Sequence, residues 1–167
     1  CPADGFAASG TECRASAGVC DVAESCTGSG AACPADGFQP SSTTCRPSAG
    51  DCDVAESCTG SGAACPADAF QPSSTTCRAS AGDCDVAESC TGSTATCPGD
   101  SFKPSSVECR GSAGVCDVAE SCTGSTATCP TDAFASASTE CRASAGVCDV
   151  AESCTGSGAA CPADGFA

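Results

Sequence analysis

The stretch that decides the fold is "CDVAESCTGSGAACPAD" at residues 20–36, which recurs letter for letter at 52–68 and 148–164. Within it Cys20, Cys26 and Cys33 keep fixed distances from Asp21, Glu24 and Asp36. Working outward, the cysteines fall at 1, then at 13, 20, 26 and 33, and from Cys13 to Cys161 they follow C-x6-C-x5-C-x6-C-x11 without exception, a period of 32 residues. A period of that size marks a tandem array whose repeats stack on their neighbours. The chain divides into a partial repeat at 1–12, repeats 1 to 4 at 13–44, 45–76, 77–108 and 109–140, and a partial repeat 5 at 141–167. Because "CPADGFA" stands both at 1–7 and at 161–167, the chain reads as a window onto a longer array, with Cys1 the fourth cysteine of a preceding repeat and Asp4 its last acid.

Composition excludes a conventional core. The 167 residues contain no Leu, Ile, Met, Trp, Tyr, His or Asn, and only six Phe. Burying one Phe or Val contributes roughly 1.5–3 kcal/mol, whereas ordering about 30 residues costs on the order of 45 kcal/mol. Cross-links must therefore hold the fold, and the 21 cysteines supply them by constraining the unfolded chain. That points to an oxidising, extracellular setting. A cytosolic thiolate metal site is disfavoured, since no C-x-x-C pair and no His occur. The formal charge of −15 opposes nucleic acid and anionic lipid, and no apolar run is long enough for membrane insertion.

Gly, Pro, Ser and Thr punctuate every segment, so the fold class is small, disulfide-rich and irregular, with few short turns and little helix or strand, its repeats forming an elongated rod or solenoid. The one helical candidate is "CDVAESC", with Asp21 capping a single turn through Glu24. Most of the acids belong to the repeated Asp/Glu/Asp set; Glu12, Asp51, Asp83, Glu108 and Glu140 stand outside it. Three carboxylates plus backbone carbonyls suit a hard cation such as calcium. Solvated surface charges copied by duplication are the alternative. The acids stay constant while neighbouring positions drift, as where "SGAAC" becomes "STATC".

The run "CRPSAGDCDVAESCTGSGAACPADAFQPSSTTC", Cys45 to Cys77, resembles the C-terminal half of the disintegrin domain of ADAM-type and snake-venom metalloproteinases. The resemblance lies in the cysteine spacing, the Arg after the first cysteine, the Asp-Cys-Asp tip, the C-D-x-x-E-x-C-T-G-x-S core and the C-P-x-D-x-F ending. It implies calcium held by Asp21, Glu24 and Asp36; Asp53, Glu56 and Asp68; Asp85, Glu88 and Asp100; Asp117, Glu120 and Asp132; and Asp149, Glu152 and Asp164. It also implies bridges within a repeat, Cys13 with Cys33, Cys45 with Cys65, Cys77 with Cys97, Cys109 with Cys129 and Cys141 with Cys161. Translated to an array, it chains the repeats through Cys20 with Cys58, Cys52 with Cys90, Cys84 with Cys122 and Cys116 with Cys154. Local pairing such as Cys20 with Cys26 is the rival wiring. No zinc motif and no Arg-Gly-Asp is present, and Val19, Val115 and Val147 replace the acid at three tips, which weakens any integrin reading.

Phe6, Phe38, Phe70, Phe102, Phe134 and Phe166 are candidates to plug the junctions between repeats. Arg14, Arg46, Arg78, Arg110 and Arg142 either pair with nearby carboxylates or stay solvated. The "QPSSTT" segments at 39–44 and 71–76 suit O-glycosylation or plain linkers, and without Asn there is no N-glycosylation acceptor. An enzyme is not expected, for no activated nucleophile or base is in this alphabet. The expected function is structural: a calcium-stapled, disulfide-linked stalk or filament subunit outside the cell that self-associates into a fibre or longer array. The alternative is a multivalent adhesin of disintegrin type, its partner a cell-surface receptor.

Overall fold

The computed structural model describes residues 5–166, so the readings placed on Cys1 and Asp4 lie outside the described residues, as does the Phe166 side chain. Repeat 1 carries four short strands: β1 (Glu12–Arg14), β2 (Asp21–Val22), β3 (Glu24–Ser25) and β4 (Gly37–Phe38). The same four recur in each later repeat. β1 pairs with β3 antiparallel, Glu12 opposite Ser25 and Arg14 opposite Glu24, with an irregular register between them. β2 pairs with β4, Asp21 opposite Phe38 and Val22 opposite Gly37.

The helical turn expected over "CDVAESC" does not form. Those residues are β2 and β3, separated by Ala23. A lone turn would give its backbone one closing hydrogen bond, whereas here the segment is paired on both sides, to β4 and to β1. Asp21 accepts from the Ala17 N–H, which precedes it, and from its immediate neighbour Val22, not from the residues two and three ahead that a helix cap would hold.

Nine disulfides close among the described residues. Within repeats they join Cys13 to Cys33, Cys45 to Cys65, Cys77 to Cys97, Cys109 to Cys129 and Cys141 to Cys161. Between repeats they join Cys20 to Cys58, Cys52 to Cys90, Cys84 to Cys122 and Cys116 to Cys154. Among the described residues the buried apolar side chains are all cysteines, and Cys20, Cys52, Cys84 and Cys116 are completely inaccessible. The two classes of bridge stack against each other: the sulfurs of Cys20, Cys45 and Cys58 lie within 4.8 Å of one another, as do those of Cys116, Cys141 and Cys154. Sulfur therefore does the space-filling that Leu and Ile do elsewhere. The aromatics contribute less than expected, since Phe38, Phe70, Phe102 and Phe134 are only half-buried and sit on the strand paired with the same repeat's Asp.

The chain forms two compact units, Cys1–Cys77 with Ser89–Pro98, and Arg78–Glu88 with Gly99–Ala167. The division interleaves inside repeat 3 because the bridges do: Cys90 and Cys97 are tied back to Cys52 and Cys77, while Cys84 is tied forward to Cys122.

Each junction between repeats is built the same way. The tip loop of one repeat reaches the next, where the Cys20 N–H donates to the Ala63 carbonyl at 3.0 Å, and the Cys52, Cys84 and Cys116 N–H groups donate to Ala95, Ala127 and Ala159 at 2.9–3.0 Å. Gly18, Gly50, Gly82 and Gly114 lie so close to those same carbonyls that a Cβ would be driven into them. Glycine is required there for close approach.

Candidate metal centre

The first acid of each set closes the tip loop. Asp21 Oδ2 accepts from the Ala17 N–H at 2.6 Å and Oδ1 from its own neighbour Val22 at 3.0 Å. Asp53, Asp85 and Asp117 repeat both bonds with Ala49 and Val54, Ala81 and Val86, Ala113 and Val118. With two backbone donors, the Asp21 carboxylate is 6 % exposed without being orphaned.

The second and third acids meet around arginine. Arg14 lies on β1 opposite Glu24 on β3, so the strand register alone brings the pair together. Its Nη1 donates to Glu24 Oε2 at 2.9 Å and to Asp36 Oδ1 at 2.7 Å, while Nη2 donates to the Pro34 carbonyl at 3.0 Å. Glu24 Oε1 accepts from the Gly37 N–H at 2.8 Å. The same fork joins Arg46 to Glu56 and Asp68, Arg78 to Glu88 and Asp100, Arg110 to Glu120 and Asp132, and Arg142 to Glu152 and Asp164. The glutamates are buried whereas the third acids are about half exposed. A buried carboxylate needs a charged partner, and the planar guanidinium reaches two carboxylates and a carbonyl at once.

Calcium asks for six to eight oxygens turned toward one point. In repeat 1 both oxygens of Asp21, both of Glu24 and one of Asp36 already face N–H donors, and the position shared by Glu24 and Asp36 is held by a positive guanidinium. The residues so arranged do not fit a calcium ion. The nearest approach to a cage is in repeat 5, where Asp149, Glu152 and Asp164 bring ligand atoms within 4.8 Å of one another and Asp149 Oδ1 is buried without a partner. There too Arg142 bonds Glu152 and Asp164. The clustered cysteine sulfurs are disulfide-bonded and offer no thiolate.

The arginines are where reading the sequence stopped short. The signal was present: each Arg follows the first cysteine of its repeat and keeps constant spacing to the Glu and to the third acid. Repeat 3 adds one feature. Ser101 replaces the Gly or Ala of the other repeats, and its hydroxyl donates to Glu88 Oε1 at 2.7 Å. That bond, with help from the Ser101 N–H and Arg78, holds the Glu88 carboxyl below its ordinary value against the opposing effect of burial.

The tip residues Val19, Asp51, Asp83 and Val115 are exposed beside the buried cysteine that follows each. No helix among the described residues is long and apolar enough to cross a membrane. No family model, curated protein or solved structure matches the chain.

Proposed function

We propose that the protein is a structural element outside the cell, a stalk or filament subunit whose repeats are chained by disulfides. One observation carries this reading. The bridges Cys20–Cys58, Cys52–Cys90, Cys84–Cys122 and Cys116–Cys154 overlap, each starting before the last has closed. Any single backbone cut between Cys20 and Cys154 is therefore spanned by a bridge, and the covalent path through the array does not depend on any one peptide bond. A binding module has no need of such a path; an element under tension or proteolysis does. The disulfide density fits an extracellular site.

Single-molecule stretching of the non-reduced chain tests the reading. The bridged chain should release little length under load until a reductant is added and then extend in repeat-sized steps. Full extension without reductant would overturn it. The multivalent adhesin is supported by the exposed tips, and repeated capture of one ligand by an otherwise inert monomer would favour it. Calcium has no role in this reading: because one arginine already bonds both the Glu and the third acid of each set, a chelator should leave unfolding unchanged, and a drop in stability on chelation would restore the cation cage.

A further inference from the structure

At each of the four junctions a bridge between repeats touches a bridge within a repeat. The sulfurs of Cys20, Cys45 and Cys58 lie within 4.8 Å of one another, as do those of Cys52, Cys77 and Cys97, of Cys84, Cys109 and Cys129, and of Cys116, Cys141 and Cys154. One pair recurs in all four sets. It joins the tip cysteine of a repeat, bridged to the next repeat, and the first cysteine of that next repeat, bridged within it. Strand pairing sets two alternative partners for the tip side by side. Cys45 lies in the strand Thr44–Arg46, and Cys58 directly follows Glu56–Ser57, the strand paired with it; the Cys58 N–H donates to the Thr43 carbonyl at 2.9 Å. Cys90, Cys122 and Cys154 donate in the same way to Thr75, Val107 and Thr139 at 2.9 Å. The tip is seated by more than its bridge, since the Cys20 N–H bonds the Ala63 carbonyl and Gly18 is packed against the same group.

Access separates the two classes. Cys20, Cys52, Cys84 and Cys116 are completely inaccessible and their partners Cys58, Cys90, Cys122 and Cys154 nearly so. Cys45 and Cys65, and their counterparts in repeats 3 to 5, are half-buried. Thiol–disulfide exchange requires the attacking thiolate to reach a sulfur, so a dissolved thiol meets the bridge within a repeat first.

We propose that each junction is a thiol relay: opening the bridge within a repeat moves the buried bridge between repeats onto the first cysteine, so that Cys20–Cys58 becomes Cys20–Cys45. A small thiol such as glutathione, as its thiolate, attacks Cys65 Sγ. The Cys45–Cys65 bond breaks, a mixed disulfide forms at Cys65, and Cys45 leaves as a thiolate. Cys45 Sγ then attacks Cys20 Sγ and the Cys20–Cys58 bond breaks. Cys58 leaves as the thiolate and takes up the proton that glutathione gave up. One disulfide replaces another at each step, so no oxidant is consumed. A thiolate held beside its target competes with dissolved thiol at a high effective concentration. The equivalent transfers give Cys52–Cys77, Cys84–Cys109 and Cys116–Cys141. Because Cys45 and Cys58 belong to the same repeat, the two repeats stay covalently joined throughout. The relay rests on the structural reading above only for its use, which is to answer reduction at the surface by re-routing a bridge while the covalent path is kept.

The test uses the full chain with its nine bridges intact and its free thiols first blocked with iodoacetamide. It is exposed to a limiting amount of reduced glutathione, quenched with N-ethylmaleimide and mapped at acid pH without reduction. Glutathione on Cys65 should be accompanied by a Cys20–Cys45 link and maleimide on Cys58, with the same triplet at the other junctions. Cys65→Ser frees Cys45 from the start, so this variant should show the Cys20–Cys45 link and maleimide on Cys58 with no thiol added. Cys45→Ser with Cys65→Ser removes the internal nucleophile and should slow the loss of Cys20–Cys58 to glutathione at least about tenfold, while Cys52–Cys90 in the same molecule still transfers. Four results would each overturn the relay: glutathione or maleimide on Cys20, maleimide confined to Cys45 in Cys65→Ser, opening of Cys45–Cys65 with Cys20–Cys58 retained, or an unchanged or faster loss of Cys20–Cys58 in the double variant. None would touch the stretching result without reductant, which reads the intact bridges alone.

Discussion

Residues 13–38 and 141–166 are identical in sequence, yet the structure treats their tips differently. In repeat 1 Cys20 is completely buried, bonded to Cys58 and hydrogen-bonded to Ala63, and both oxygens of Asp21 have donors. In repeat 5 Cys148 is an exposed thiol and Asp149 Oδ1 is left without a partner. The arginine fork, by contrast, is the same in both: Arg14 grips Glu24 and Asp36 as Arg142 grips Glu152 and Asp164. What is made inside a repeat is the same in both; what is made against the following repeat is present in repeat 1 alone of the two. Stability here is divided into a term for each repeat and a term for each junction.

The largest test of that division is to break one junction. Cys20→Ser with Cys58→Ser removes a bridge spanning 38 residues and should cost about 4 kcal/mol, read as lost hydrogen-exchange protection around the repeat 1 tip. Cys148→Ser, the same change in the same sequence, should cost almost nothing in the monomer. A loss of similar size at both would mean that the tip is stabilised from within its own repeat.

Next in size is the glycine pair. Gly18→Ala pushes a methyl into the Ala63 carbonyl and should cost about 1–3 kcal/mol, whereas Gly146→Ala meets open space and should be neutral. Equal effects would place the strain in the loop backbone instead of at the junction. Arginine gives the opposite pattern. Arg14→Met and Arg142→Met each leave a buried glutamate without its cation, so both should cost about 1–3 kcal/mol and by the same amount, measured by denaturant or exchange. A marked inequality would show that the fork depends on the neighbouring repeat.

The smallest effect is local to repeat 3. Glu88 has its pKa lowered in the folded state, so its contribution is present above the ordinary value of 4.5 and is lost as pH falls through the depressed folded value. Ser101→Ala removes the first cause of that depression and should start the acid-induced loss of protection in repeat 3 at higher pH, leaving repeat 2, which has Ala69 at this position, unmoved. An unchanged acid profile would assign the depression to Arg78 and the backbone instead.

Much of this was legible along the chain. The cysteine spacing and the missing aliphatic residues already require a cross-linked tandem array, because no arrangement of this composition buries enough carbon to order itself. The candidate helix at "CDVAESC" misled, since spacing three apart on a turn and extension between two partner strands place Asp21 and Glu24 about equally well near each other. The acids are conspicuous and the arginine is not: a single Arg per repeat reads equally as a partner for nearby carboxylates or as solvated charge until strand register sets it opposite the Glu.

Sequence by itself determined the repeat, its period and the need for covalent staples, since those follow from composition and counting. Only the tertiary structure decided which of the rival cysteine wirings is present and that one arginine bonds both the Glu and the third acid of each set. Each of these depends on what lies across space from a residue, and at Cys20 and Cys148 the residues along the chain are the same on both sides while the surroundings are not.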